Sequence, residues 1–290
     1  MLLAIQQDYF MFSYRHIYHA GNFADVYKHV ILVGLLKSLQ KKDSALYFQD
    51  THAGIGLYDL HSPQAAKNKE YKRGIQNVLD ADNPPKMVQD YFDVINAANE
   101  GSKLDFYPGS PMVARRLLRP QDRMLLTELN EKDHDQLKRG FFRDSQVAVH
   151  LQDAWQGMKA FLPPKQKRGL VLIDPPYELK TEVKDLVEAL QTAYRKWPNG
   201  IYAIWYPVFE DNFDRRIARK LEDTGIRKIL NTQMLVRDAG DGRRMIGTGM
   251  LIVNPPWQLD EELKSVLKFL WQCLNEDEKG SYKVNWLVPE

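Results

Sequence analysis

Residues 169–177 read GLVLIDPPY, an apolar run that ends in an acid, two prolines and a tyrosine. A short unbroken run of this kind is the pattern of a strand covered on both sides, as in a parallel sheet between two layers of helices. Working outward, RMLLTELN (123–130), QVAVHLQD (146–153), GIYAIWYP (200–207), IRKILNTQMLV (226–236) and TGMLIVNPP (248–256) are further strand candidates, most with helical segments between them. ALYFQD, ending at Asp50, adds a seventh. The sequence therefore predicts an α/β fold: a seven-stranded, mostly parallel sheet with helices on both faces and ligands beyond the carboxyl ends of the strands.

Ahead of the first strand, NFADVYKHVILVGLLKSLQKK has apolar residues at helical spacing, with Asn22 as its cap and lysines at its end. After the strand comes DTHAGIG (50–56), where Ala53, Gly54 and Gly56 allow a tight turn and close backbone approach to a ligand. Residues 57–104 break the alternation. Two helix-like stretches flank Asp-Asn-Pro-Pro there, without a convincing strand, and read as an inserted helical subdomain. GSPMVARRLLRP then reads as a helix capped by Ser110, with Pro111 at its first position. The expected organisation is one domain, 11–290, interrupted by the insertion at about 57–104 and preceded by an extension, 1–10, with Met11 as an alternative start.

Composition narrows the function. The 290 residues are 44% hydrophobic and 27% charged, with no apolar run long enough for a membrane span and no secretory signal pattern, so a soluble cytoplasmic protein is expected. One cysteine, Cys273, excludes a disulfide framework or a cysteine zinc site. A net charge of +2 means that nucleic-acid binding must come from a local patch. Three basic clusters exist: Arg115, Arg116 and Arg119; Lys165, Lys167 and Arg168; Arg243 and Arg244. Each alone reads as solvated surface, although the glycines around the last make loop 238–247 a candidate mobile contact for phosphates.

Acids stand at or near the ends of three strands: Asp50, Glu128 and Asp153. In a nucleotide-type pocket the glycine turn takes the backbone side of the ligand, the second acid binds ribose hydroxyls and the third faces the adenine, whereas the plain alternative is helix capping. A dinucleotide fingerprint fails, because the turn is not G-x-G-x-x-G and Glu128 lies far beyond the ~20-residue spacing such sites use. A P-loop is absent.

Asp-Pro-Pro-Tyr at the end of a strand suits an amine. An exocyclic amine on a base has two hydrogens and a conjugated, poorly nucleophilic lone pair; the Asp174 carboxylate and the Pro175 carbonyl can accept one hydrogen each and aim the lone pair at an electrophile. Tyr177 offers a ring on which an extruded base can stack. The rival reading is that Pro-Pro merely ends a strand, and VNPPW (253–257) repeats the pattern. Asp174 follows the fourth strand, beside the ligand turn, and is favoured over Asn254.

With these segments the chain resembles class I S-adenosylmethionine-dependent methyltransferases of the amino-methylating DPPY type, which have a Rossmann-like fold. More closely it resembles the bacterial 23S ribosomal RNA adenine-N6 methyltransferase family called RlmJ, through SYRHIYHAGNFADVYKH (13–29), DTHAGIG, YPGSP (107–111), LTELN (126–130), IDPPYE (173–178), WYPV (205–208), TGIRKI (224–229) and VNPPW. The resemblance implies that His29, His52, Ser110, Glu128, Asp153 and Asp174 line the S-adenosylmethionine site, with Asp174 also catalytic. It implies that Tyr14, His16 and Lys28 face the RNA adenosine, and that the insertion is the family's helical subdomain. Phe23 stands where the family pattern has a histidine. His16 and His19 also form an H-x-x-H pair, but with no third ligand at a characteristic spacing a packing or substrate role is preferred to a metal. The expectation is a monomeric enzyme that needs no metal and methylates N6 of an adenosine in 23S ribosomal RNA, either protein-free or in an early assembly intermediate. The alternatives are a DNA adenine-N6 or RNA guanine-N2 methyltransferase, or a non-catalytic RNA-binding assembly factor.

Overall fold

The computed structural model describes residues 15–99, 101, 103–179, 181–238 and 244–290. Its first long helix, α1 (Phe23–Gln40), starts where the Asn22 side chain accepts the backbone N–H groups of Ala24 and Asp25, each at 3.0 Å. α1 is buried almost all round, between the sheet and neighbouring helices. Next come β1 (Tyr47–Asp50), β2 (Leu57–Asp59), α2 (Pro63–Asn68), α3 (Asn77–Leu79), α4 (Lys86–Ala97), β3 (Phe106–Pro108) and α5 (Ser110–Leu117). Regular alternation follows: β4 (Arg123–Glu128), α6 (Glu131–Gly140), β5 (Val147–Leu151), α7 (Ala154–Phe161), β6 (Gly169–Ile173), α8 (Glu182–Lys196), β7 (Ile201–Val208), α9 (Phe213–Glu222) and β8 (Ile229–Leu235). β9 (Gly247–Val253), α10 (Leu259–Leu274) and β10 (Ser281–Val288) complete the order. Among the described residues no helix is long and apolar enough to cross a membrane.

The main sheet has the order β10-β8-β9-β7-β6-β1-β4-β5. From β7 to β5 all neighbours are parallel, whereas β9 is antiparallel to both β7 and β8, and β10 is antiparallel to β8. Successive side chains alternate between two cores. Phe48, Leu170, Leu172 and Ala203 pack with α1, α4, α5 and α10; Tyr47, Val171, Ile173 and Ile204 pack on the other side with α7, α8 and α9. This is the α/β sheet with helices on both faces that the apolar runs predict.

Three details differ from the sequence expectation. The sheet has eight strands rather than seven, because SYKVNWLV pairs along β8; as an edge strand with mostly exposed residues, it lacks the apolar run that marks the others. A strand also begins the region read as strand-free, since β2 pairs antiparallel with β3, each only three residues long and too short for alternation to register. Ser110 is not the cap of α5: Gly109 holds that position, and Ser110 is the first helical residue.

Between β2 and β3 the chain folds against the start of α1. Ile75 donates its N–H to the Gly21 carbonyl at 2.9 Å, and a Cβ on Gly74 would lie 2.0 Å from that same oxygen. Only glycine permits so close an approach. At the other end of α1 two of the basic clusters find structural work. Arg119 donates to the carbonyls of Lys42 and Ser44, and Arg168 donates to the Leu39 carbonyl and the Ser44 hydroxyl. These guanidinium groups satisfy carbonyls at and just past the helix terminus, where positive charge is favoured.

Candidate active site

A cleft of about 530 Å³ opens at the carboxyl ends of the parallel strands, with the start of α1 as one wall. Its floor is the turn after β1. Gly54 has φ +60 and a Cβ there would meet the Tyr58 hydroxyl at 2.5 Å, so the turn requires glycine on both conformational and steric grounds. Glu128, at the end of β4, holds this turn: its carboxylate accepts the Gly54 N–H and the Asn130 N–H, each at 2.8 Å. Burial raises its pKa. Each oxygen has used one acceptor position, which leaves capacity for two hydroxyl donors.

Along the same wall, Asp153 caps α7 by accepting the Gln156 N–H at 2.9 Å, so the plain capping role and a place on the cleft wall coincide. Trp155 lines the cleft beside it, 5.6 Å from the His52 ring in an edge-on arrangement. His52 bonds the Thr51 hydroxyl through Nδ1, and burial pushes its pKa down to about 4, which makes it neutral.

At the opposite side of the cleft, Asp174 emerges from β6 onto a buried charged chain. The Lys28 ammonium bonds the Asp174 carboxylate and lies 3.2 Å from Asp25 Oδ1. Asp25 Oδ2 in turn accepts His16 Nε2–H and the Gly21 N–H, both at 2.9 Å. Lys28 is 5% exposed and Asp25 2%, so neither charge is solvated by bulk water. Burial opposes both charges, yet the carboxylates raise the Lys28 pKa, while His16 and Lys28 hold Asp25 well below the usual carboxylate range.

The cleft thus brings together His16, Lys28, His29, His52, Gly54, Ser110, Glu128, Asp153, Asp174 and Pro175. Tyr177 is not part of this wall. Its φ is +55, its hydroxyl donates to the Trp205 carbonyl at 2.6 Å and its ring meets Phe213 edge-on. Trp205, Pro207 and Phe209, from β7 and the residue after it, line the cleft beyond Asp174 instead. Arg244 is exposed next to Met245, a lining residue, whereas Tyr14 and Arg243 lie outside the described residues. His16 and His19 turn to different carboxylates: His19 Nδ1 bonds Glu70, whose other oxygen accepts from Asn22.

The two Pro-Pro motifs part company through strand polarity. β9 runs against β7, with Val253 opposite Tyr202 at the start of that strand, so Asn254 sits at the amino end of the sheet, away from the cleft. There its amide donates to the Pro198 and Gly200 carbonyls, both at 2.8 Å, and closes a turn.

Residues 43–288 match a family model described as "Ribosomal RNA large subunit methyltransferase D, RlmJ". The chain belongs to this family. Two proteins named "Ribosomal RNA large subunit methyltransferase J" agree: one from Haemophilus influenzae is 44% identical, and one from Escherichia coli K12 is 43% identical. Each alignment covers 97% of this chain and 100% of the relative. The crystal structure of a Legionella pneumophila protein superposes with a TM-score of 0.84 at 37% identity, covering 92% of this chain and 98% of that one. An RlmJ-family methyltransferase of large-subunit ribosomal RNA is thus established at the level of the family.

Within this family frame, sequence reasoning missed Asp25, Trp155, Trp205 and Phe209 as cleft residues. Asp25 had a readable signal, since it stands three residues before Lys28 on one helix face and forms an ion pair with it. The aromatic residues had none, because in an apolar sequence context they look the same as core.

Proposed function

We propose that this protein transfers the methyl group of S-adenosylmethionine to the N6 amine of an adenosine in 23S ribosomal RNA. The observation that carries the reading is Asp174 with Pro175 at the end of β6, facing a cleft whose far wall holds Glu128, Asp153 and the Gly54 turn. The volume suits a nucleoside-sized ligand. The spare acceptor capacity of Glu128 matches a pair of ribose hydroxyls, and Trp155 beside Asp153 offers an apolar ring next to an acceptor, as an adenine requires. S-adenosylmethionine supplies an electrophilic methyl group on a sulfonium.

The chain's own residues then do the rest. Asp174 and the Pro175 carbonyl accept the two amine hydrogens and aim the nitrogen lone pair at the methyl carbon. Lys28 holds the Asp174 carboxylate in place by its hydrogen bond until the amine arrives. Asp25, already 3.2 Å from the ammonium, gives Lys28 an alternative partner when Asp174 turns to the base. Pro176, Pro207, Trp205 and Phe209 make a wall with few competing donors, where an extruded base is gripped through its faces. As the new N–C bond forms and the C–S bond breaks, the surplus N–H proton becomes acidic and leaves through Asp174 to water. Rate comes from placement and from oriented acceptors.

Transfer of labelled methyl to protein-free 23S ribosomal RNA, with duplex DNA and an assembly intermediate alongside and nucleosides identified by mass spectrometry, tests the reading. N6-methyladenosine from the RNA supports it. N2-methylguanosine, or methylation of the DNA alone, refutes it. Asp174→Ala is expected to abolish turnover while S-adenosylmethionine affinity changes by less than about tenfold.

A further inference from the structure

His29 lines the cleft next to Lys28, but its ring is held from the other side. Nδ1 lies 2.8 Å from the Tyr107 hydroxyl, and the Tyr91 hydroxyl donates to the same Tyr107 oxygen at 2.9 Å. Tyr107 comes from β3 and Tyr91 from α4, and both are fully buried. Nε2 has no hydrogen-bond partner, although it is buried. Burial, reinforced by the Lys28 charge, pushes the His29 pKa down to about 3, so the ring is neutral and has a single N–H.

The direction of the two hydroxyls decides which nitrogen holds that hydrogen. Tyr107 has one O–H. With Tyr91 donating to it, the other partner of the Tyr107 hydroxyl among the described residues is His29 Nδ1, so the buried Tyr107 hydrogen is satisfied only when Nδ1 accepts it. The imidazole hydrogen then sits on Nε2.

We propose that Tyr91 and Tyr107 are positioning residues that fix His29 as the Nε2–H tautomer, so that it donates a hydrogen bond to the carboxylate at the methionine end of the cosubstrate. This rests on the reading of the cleft as an S-adenosylmethionine site. The opposite tautomer would turn a lone pair toward the ligand and repel a carboxylate. A protonated ring would donate equally well, but it would have to place a second positive charge beside the buried Lys28. The tyrosine relay therefore selects a neutral donor. The side chain that makes the contact is on α1, whereas the groups that orient it come from the segment between β1 and α5.

Two measurements test the proposal. In long-range ¹H–¹⁵N spectra of the ¹⁵N-histidine-labelled wild-type protein, His29 is expected in the Nε2–H form; an Nδ1–H form overturns the proposal without any variant. Tyr107→Phe removes the donor to Nδ1. It is expected to shift His29 toward the Nδ1–H form and weaken binding of S-adenosylhomocysteine by about tenfold or more, since the lost bond is to a charged group. Binding of methylthioadenosine, which lacks the amino-acid end, should stay within about twofold and reports an intact fold. Equal affinity of wild type and Tyr107→Phe for S-adenosylhomocysteine overturns the relay, and so does an equal loss for both ligands. If the wild-type protein binds neither ligand, the proposed function fails instead.

Discussion

Lys28→Met separates the electrostatics of the cleft from its shape. The substitution keeps the length of the side chain and removes the ammonium that pairs with both Asp25 and Asp174. Asp25 retains His16 and the Gly21 N–H, but the two carboxylates now face each other without the ammonium between them, in a site where Asp25 is 2% exposed. Removing one partner of a buried pair costs about 3–5 kcal/mol, and we expect the low end, roughly 3 kcal/mol, because Asp174 borders the cleft. For a chain of this size that corresponds to a fall in Tm of roughly 5 °C. The pH dependence gives the signature. In the wild type the Asp25 pKa is depressed, so its contribution is present above the ordinary value of 3.8 and is lost as pH falls through the lower folded value. Without Lys28 the depression of Asp25 shrinks, so less of that contribution remains above 3.8. The deficit of the variant should therefore be full at pH 8 and diminish only as pH falls below 3.8, towards roughly pH 3, and adding Asp25→Asn should recover part of it. Calorimetric melts at both pH values measure this. A variant as stable as wild type at pH 8, or a deficit that does not change with pH, would refute the account of the buried chain.

Other outcomes follow from the same geometry. Glu128→Ala removes the acceptor that holds the Gly54 turn and that we propose for the ribose hydroxyls, and should weaken S-adenosylmethionine binding by about 10–100-fold in a calorimetric titration. The His19 pKa is raised chiefly by its hydrogen bond to Glu70, so this contact stabilises fully below the ordinary value of 6.5 and is lost as pH rises through the folded value; Glu70→Gln should flatten the fall in melting temperature above pH 6.5. Arg243→Ala combined with Arg244→Ala should lower RNA affinity at low salt and reduce its salt dependence, measured by filter binding; unchanged affinity rules out a phosphate contact there.

What the sequence revealed depended on whether the signal was local. GLVLIDPPY and the runs like it are read correctly because a strand covered on both faces must be apolar along its whole length. SYKVNWLV escaped for the converse reason, since an edge strand needs only backbone pairing. The polar residues of the cleft were legible where they interrupt an apolar pattern: Asp174 after β6, Glu128 at the end of β4, the glycines after β1. Tyr177 shows the limit. Its spacing from Asp174 suggests a stacking ring, but a positive φ and a bond to the Trp205 carbonyl turn it into the second core. Nor does the sequence record strand polarity, which alone sends Asn254 to the far end of the sheet.

The missing Cβ at Gly74 makes residues 15–22 and the segment around 74 a matched pair. Anyone who grafts the segment between β1 and α5 from a relative, or shortens it, also edits the mould against which the start of α1 is cast. A Gly74→Ala substitution would push on the Gly21 carbonyl, immediately before the cap that begins the helix bearing Asp25, Lys28 and His29. Such a lesion would look like a loss of chemistry in an assay although it touches no reacting atom. Libraries built on this scaffold should vary the two stretches together.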